Sequence, residues 1–200
     1  SIYAERFQII FDPWPMIDLL FKYQDFFCKD EGCVDDYLSI LVFLNTSFTD
    51  FREARQRHSW QAICDVIQKV DDNYQEQVED YKSKKSKAKQ SSLPILNTSI
   101  LTNCYFSLCH IYEANPSVIS YLSFPKTAEK HLVSSSNLQY PILSLLMRVP
   151  PNGCPNEIIK SLSYLIKEKN DKLAGIALAS IAKNRTCSLA LARNLYWLQD

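Results

Sequence analysis

Glycine is nearly absent from this 200-residue chain: there are three, Gly32, Gly153 and Gly175. Dinucleotide-binding folds, phosphate loops and tight β-hairpins all need glycine where the backbone takes a positive φ or closely approaches a ligand. Three scattered glycines support none of them. Nor is either charge in excess, since 22 Lys plus Arg balance 22 Asp plus Glu for a formal net charge of zero. A general nucleic-acid binder ordinarily carries a strong basic excess, so that class is disfavoured. Long apolar runs are missing too. No stretch reaches about 18 uncharged apolar residues, so no membrane-inserted helix is expected.

What is present describes a folded domain. Apolar residues make up 46% of the chain and aromatics 12%, too many for a disordered segment and enough for one substantial core. Seven cysteines is an odd number. Most sit inside apolar helical patterns, as Cys64, Cys104 and Cys109 do, rather than in loops. They read as reduced, mostly buried thiols, which points to a cytoplasmic or nuclear setting rather than a disulfide-stapled secreted domain. The sequons at Asn45, Asn97 and Asn184 argue weakly the other way. The chain starts at Ser1 within what reads as a helical pattern and ends on Leu195-Tyr196-Trp197-Leu198, still apolar. It therefore reads as one helical-repeat domain, 1–200, excised from a longer protein.

The apolar positions recur at helical spacing almost throughout. Residues 1–10 read as a short helix or lead-in. Asp12-Pro13 resembles a helix start, with Asp12 as cap and Pro13 in the first turn, and the helix runs on through Leu20 to Phe27. Lys29 to Cys33 is read as a polar turn. Tyr37 to Leu44 is nearly all apolar, as in a helix buried on most sides. From Ser59 to Tyr81 the apolar residues Trp60, Ile63, Cys64, Ile67, Val70, Tyr74, Val78 and Tyr81 step by threes and fours, which defines a long amphipathic helix. A flexible Lys-rich loop, 82–93, is expected next, carrying Lys82, Lys84, Lys85, Lys87 and Lys89. The second half reads as short helices near 95–114, 117–123, 126–134, 140–149, 157–168, 172–183 and 186–198, separated by Asn, Pro, Ser and Gly breaks. No alternating strand pattern is found.

One motif occurs three times. Helices ending at Asn45, Asn115 and Asn184 carry apolar residues three positions earlier (Val42, Tyr112, Ile181), seven earlier (Leu38, Leu108, Ala177) and eleven earlier (Val34, Cys104, Leu173). Asn suits such an end, because it tolerates a left-handed turn and can cap the next helix. The anchors are 70 and 69 residues apart. That interval exceeds a single armadillo or HEAT unit of about 40–47 residues. It fits either one unit with an insertion, such as the Lys-rich loop, or a pair of shorter helical units.

The residues at these junctions resemble armadillo repeats, whose third helix typically ends in an Ala- and Leu-rich run, then Asn, then a short first helix. Lys172 to Asn184 and Tyr37 to Asn45 look like that junction, with Trp60 to Ile67 as the next packed helix. The glycine usual between the family's first and second helices has no counterpart here. Over about two-thirds of the chain, in an irregular way, the sequence resembles an armadillo- or HEAT-like helical repeat. The Cys- and aromatic-rich variety is similar to repeats in large centriolar or cytoskeletal scaffolds of the rotatin type. The resemblance implies an all-α, armadillo/HEAT-like α-solenoid and a non-catalytic protein–protein interaction scaffold.

Chemistry-bearing motifs are not found. Cys104 and Cys109 are five apart and His110 points about 100° from Cys109, whereas metal ligands on one helix face need a spacing of three or four. No Gly-x-Ser-x-Gly elbow, phosphate loop or His-Glu-x-x-His is present. The adjacent carboxylates Asp35-Asp36 and Asp71-Asp72 read as a helix-dipole partner and a solvated face. No catalytic residue, metal or cofactor is therefore expected. A protein partner of unknown identity is, with Trp14, Tyr81, Arg193 and Trp197 as candidate anchors because aromatics and Arg often dominate interfaces. Phe26 and Phe27 are adjacent, so both cannot lie on one buried stripe. The alternative function is a nucleic-acid-binding helical repeat using the Lys-rich loop and the basic face Arg52 to His58.

Overall fold

A computed structural model describes residues 14–27, 31–47, 53–85, 93–114, 116, 124–149, 156–183, 187 and 191–193, leaving aside the side chains of 14, 31, 53–55, 84 and 85. The described residues are all-helical, without a strand. Helices α1 (Trp14–Lys22), α2 (Gln24–Phe27), α3 (Glu31–Ser47) and α4 (Glu53–Lys85) form the first half. Helices α5 (Thr98–Ala114), α6 (Ala128–Ser134), α7 (Ser136–Arg148), α8 (Asn156–Lys169) and α9 (Lys172–Ala182) form the second. The helices expected over 1–10 and 117–123, and most of that over 186–198, fall outside the described residues. None of the described helices is long and apolar enough to cross a membrane.

Several boundaries differ from the sequence reading, each for a local reason. Gly32 and Cys33 belong to α3 rather than to a turn; the stripe of Val34, Tyr37, Leu38 and Leu41 is fully buried, and the helix starts early enough to give it a complete first turn. α4 runs through Lys85, so Lys82, Lys84 and Lys85 of the expected loop 82–93 are helical, and residues 86–92 lie outside the described residues. Lysine is a good helix former and its charge suits a helix C-terminus. α7 starts at Ser136, placing Pro141 inside it, because buried Leu138 extends the core stripe of Ile142, Leu145 and Leu146 by one turn. Phe26 is 68% exposed whereas Phe27 stacks on Tyr37 at 5.9 Å, as their adjacency requires.

α4 is the longest element, 33 residues, or about 50 Å at 1.5 Å per residue. Its neighbours α3 and α5 have 17 residues each, about 25 Å. α3 and α5 cover the first half of α4, where Trp60, Ile63, Val66 and Ile67 are buried; farther along, Asp71 is buried beneath α6 while Tyr74, Val78 and Tyr81 are half-buried. Asn45 joins the two helices differently from the sequence reading. It lies within α3, buried, and its Nδ2 donates to the Leu41 carbonyl at 2.7 Å and to Ser59 Oγ at 3.0 Å. The left-handed asparagine is Asn170, with φ 51°, in the tight turn between α8 and α9. Asp171 then caps α9, its Oδ1 accepting from the Leu173 and Ala174 amides at 2.8 and 3.2 Å. Asp171→Ala should cost about 1 kcal/mol in urea denaturation; an unchanged midpoint would mean that the cap contributes nothing.

Packing is sequential. α5 lies against α3, α4 and α7; α7 lies against α5, α6 and α9; α8 lies against α6 and α9. The core follows this order as one continuous cluster from Ile17 to Leu191. Helices α3, α5, α7 and α9 thus form a row, with α4, α6 and α8 packed behind it.

Candidate interaction surface

The row is tied together across its exposed side by four links. Asn103 Nδ2 on α5 donates to Asp35 Oδ1 on α3 at 2.8 Å. The Phe106 ring on α5 meets Tyr140 on α7 edge-on, centroids 6.0 Å apart. Arg148 Nε on α7 donates to Glu113 Oε1 on α5 at 2.6 Å. Ser180 Oγ on α9 donates to the Met147 carbonyl on α7 at 3.4 Å. Early residues pair with early ones and late with late, so the four helices run parallel.

The sequence offset across each link is the informative quantity. It is 34 for Phe106–Tyr140, 35 for Glu113–Arg148 and 33 for Met147–Ser180, but 68 for Asp35–Asn103. One step of the row is therefore about 34 residues, and the first step is twice as long because α4 and the connection to α5 fill it. The 70-residue motif of the sequence reading spans one step between α3 and α5 but two between α5 and α9, with α7 in between. The stripe holds at Leu38, Leu108 and Ala177, at Val34 and Cys104 and at Ile181, all buried; Val42 and Tyr112 are half-buried, Leu173 is 36% exposed in the first turn of α9, and the anchors Asn115 and Asn184 lie outside the described residues.

The outer side of this row carries apolar and aromatic groups that the core does not use. Phe43 is 50% exposed, Tyr140 59% and Ile176 53%. Between α3 and α5 lies an open groove of about 480 Å³, lined by Ser39, Val42, Phe43, Asn103, Phe106 and His110. His110 faces outward beside Glu113, at 3.8 Å, whereas Cys104 and Cys109 point into the core. Burial pushes the Cys64 and Cys109 thiols up to about 12 and about 11, so both stay protonated and poorly nucleophilic at neutral pH.

The candidate anchors from the sequence do not converge on this surface. Tyr81 is half-buried near the far end of α4, and Arg193 is exposed in a short helical turn after α9. Trp14 opens α1, with its side chain outside the described residues, as all of Trp197 is. Of the basic positions, Lys82 is exposed, Lys84 and Lys85 contribute backbone to α4, and Lys87 and Lys89 lie outside the described residues. The groups the sequence reading missed are Phe43, Phe106, Tyr140 and Ile176. Their signal is an apolar residue on the polar side of each helix, legible only once the buried side of each is known.

A second feature is polar and lies behind the row. Asp71 was read as part of a solvated face but is 5% exposed. Its carboxylate accepts from Lys130 Nζ at 3.0 Å on both oxygens, and Oδ1 is 3.1 Å from His131 Nε2. His131, 1% exposed, has its Nδ1 3.0 Å from Tyr105 Oη. The fold turns Asp71 inward because α6 crosses α4 at that level. Tyr105 is wholly buried at the inner end of this Asp–His–Tyr chain, whereas Asp71, Lys130 and His131 line an open pocket beside Pro94, Ile95 and Leu96. Among the described residues, no group of three or more His, Cys, Asp or Glu side chains is placed to hold a metal ion.

Comparison with protein-family models, with curated proteins and with solved structures finds no match for this chain.

Proposed function

We propose that this chain is a segment of an armadillo/HEAT-like α-solenoid, and that its work is to bind a partner protein along the α3–α5–α7–α9 row. The observation that carries this reading is the row itself, with parallel helices that step by about 34 residues from α5 to α9, twice that from α3 to α5, and an aromatic-bearing outer side. A step of about 34 residues lies within the roughly 20–45 of stacked helical repeats, in which one helix of each unit lines a continuous surface. Packed helices stand about 8–10 Å apart. A partner helix repeats a side chain every seven residues, about 10.5 Å, and an extended segment every three, about 9–10 Å. Either geometry sets one partner side chain between successive helices of the row.

The role is that of a non-catalytic scaffold within a larger assembly, in the cytoplasm, at the centriole or cytoskeleton if the resemblance to the rotatin type holds. The nucleic-acid alternative draws no support from the row, whose described charges include the mutually paired Arg148 and Glu113.

Site-specific photo-crosslinking tests the surface directly. A benzophenone side chain at Tyr140 should yield protein adducts in cells, and one at exposed Lys160 on α8 should yield far fewer. Equal labelling from both positions, or adducts with nucleic acid, would overturn the assignment.

A further inference from the structure

The buried chain behind the row links three helices through groups whose protons have one consistent arrangement. Thr127 hydrogen-bonds to the Tyr105 hydroxyl, that hydroxyl faces His131 Nδ1, His131 Nε2 faces Asp71, and Lys130 closes the far end. With His131 neutral and Nε2 protonated, Nε2–H donates to Asp71 and Nδ1 accepts from Tyr105. Donors and acceptors then alternate from Thr127 to the carboxylate without a clash. A proton added at Nδ1 sets two donors face to face, and Tyr105 and Thr127 must both turn their hydroxyls. It also leaves two cations, His131 and Lys130, on the single Asp71 carboxylate.

We propose that Asp71, His131 and Tyr105 form an acid-sensitive clasp that holds α6 against α4 and α5. α6 has only seven residues, too few to persist as a helix once undocked. Ser134 at its C-terminus and the capping Ser135 edge an open pocket of about 540 Å³ that Asp71, Lys130 and His131 also line, walled by Val78 of α4 and by Pro94, Ile95 and Leu96. Loss of the clasp detaches α6 from α4 and α5, while its packing on α7 and α8 remains, and widens this pocket, exposing apolar surface next to Ile95, already 85% exposed.

The ionisable groups facing the Asp71–His131–Tyr105 chain come from three helices. From α4 these are Asp71 and the Cys64 thiol, from α5 Tyr105 and Cys104, and from α6 Lys130. On α7, Arg148 pairs with Glu113 and Tyr140 with Phe106; on α8, Glu157 faces Glu129. Burial, foremost, and the Lys130 charge outweigh the attraction of Asp71 and hold the His131 imidazole below its ordinary value. Burial alone would raise the Asp71 carboxyl, but the hydrogen bonds and positive charge of Lys130 and His131 hold it below its ordinary value. An opened, solvated His131 titrates near 6.5. The open form therefore binds more protons below about pH 6.5, and the clasp is stable above that pH and weakens as pH falls through it. The Asp71 contribution is lost only at lower pH, beneath the ordinary carboxylate range.

Amide exchange of α6, corrected for intrinsic rates, tests this between pH 7.5 and 5. The opening constant should rise as pH falls below about 6.5, by a factor approaching about tenfold per pH unit. In His131→Gln, which keeps a donor but cannot titrate, it should be flat. Should that variant fail to fold, His58→Gln/His110→Gln, both at exposed positions, leaves His131 as the sole histidine, so its ring titration can be followed by NMR beside the exchange. Ring titration at or above the free-imidazole value, or α6 exchange indifferent to pH over this range, would overturn the proposal.

Discussion

Trp60→Ala should lower the stability of the chain by about 3–5 kcal/mol, the range for deleting a buried tryptophan side chain. Trp60 is 1% exposed and heads the largest fully buried side chains. It sits on the first half of α4, one residue from the Ser59 that hydrogen-bonds Asn45 of α3, in the cluster that continues into α5. Removing it leaves a cavity whose walls are helices fixed on several sides, so little relaxation can fill the space. A domain of this size loses roughly 2–4 °C of melting temperature per kcal/mol, so the expected fall is roughly 6–20 °C. Tyr74, farther along the same apolar stripe, provides the contrast. It is only half-buried, lining open pockets beside Ile95, and Tyr74→Ala should cost far less. Thermal and urea unfolding of the two variants side by side check this. Equal losses would mean that α4 is covered along its whole length; a loss below about 1 kcal/mol for Trp60→Ala would remove α4 from the core.

Tyr140→Glu combined with Ile176→Glu should do the reverse: keep the fold and remove binding. Both side chains are more than half exposed, and neither helix loses a buried contact on substitution. Tyr140 gives up its ring contact with Phe106, worth about 0.5–1.5 kcal/mol. Exposed positions otherwise cost within about 0.5 kcal/mol. At an interface, by contrast, an aromatic anchor at the centre is worth about 2 kcal/mol or more, so a charge at each of two adjacent helices should weaken partner affinity by at least about 30-fold. The expected pattern is a near-normal melting temperature with affinity lost. A variant that binds as well as the parent would exclude this side of the row as the interface.

Helical periodicity carried most of the fold into view. The α4 stripe from Trp60 to Tyr81 is buried or half-buried at all eight positions. The turn at Asn170-Asp171 is equally local: a left-handed Asn followed by a capping Asp. What the sequence hid depends on separation. Asp71 and His131 are 60 residues apart, and Tyr105 and His131 are 26 apart. No local spacing could show that a carboxylate next to exposed Asp72 turns inward to meet them. The repeat was half legible for a related reason. Anchoring on Asn found α3, α5 and α9 but passed over α7, which ends in Arg148 and Val149 without an Asn. Asn45 matched the motif although it works inside its helix, as a hydrogen-bond donor to α4. The outer surface was the least legible part. An exposed Phe43 or Tyr140 reads, in sequence, like one more core aromatic; it is distinguished only by knowing which side of its helix the neighbouring helices occupy.

The most direct test of the scaffold reading is affinity capture from a cell lysate. The intact chain would be compared with Tyr140→Glu/Ile176→Glu, at about 50 and about 300 mM salt, with and without nuclease. Contacts to nucleic-acid phosphates weaken steeply across that salt range, whereas an apolar groove does not. The account predicts specific protein partners that survive both salt and nuclease with the intact chain and are lost with the double variant. Capture that disappears with nuclease or modest salt, or that the double variant retains in full, would contradict it.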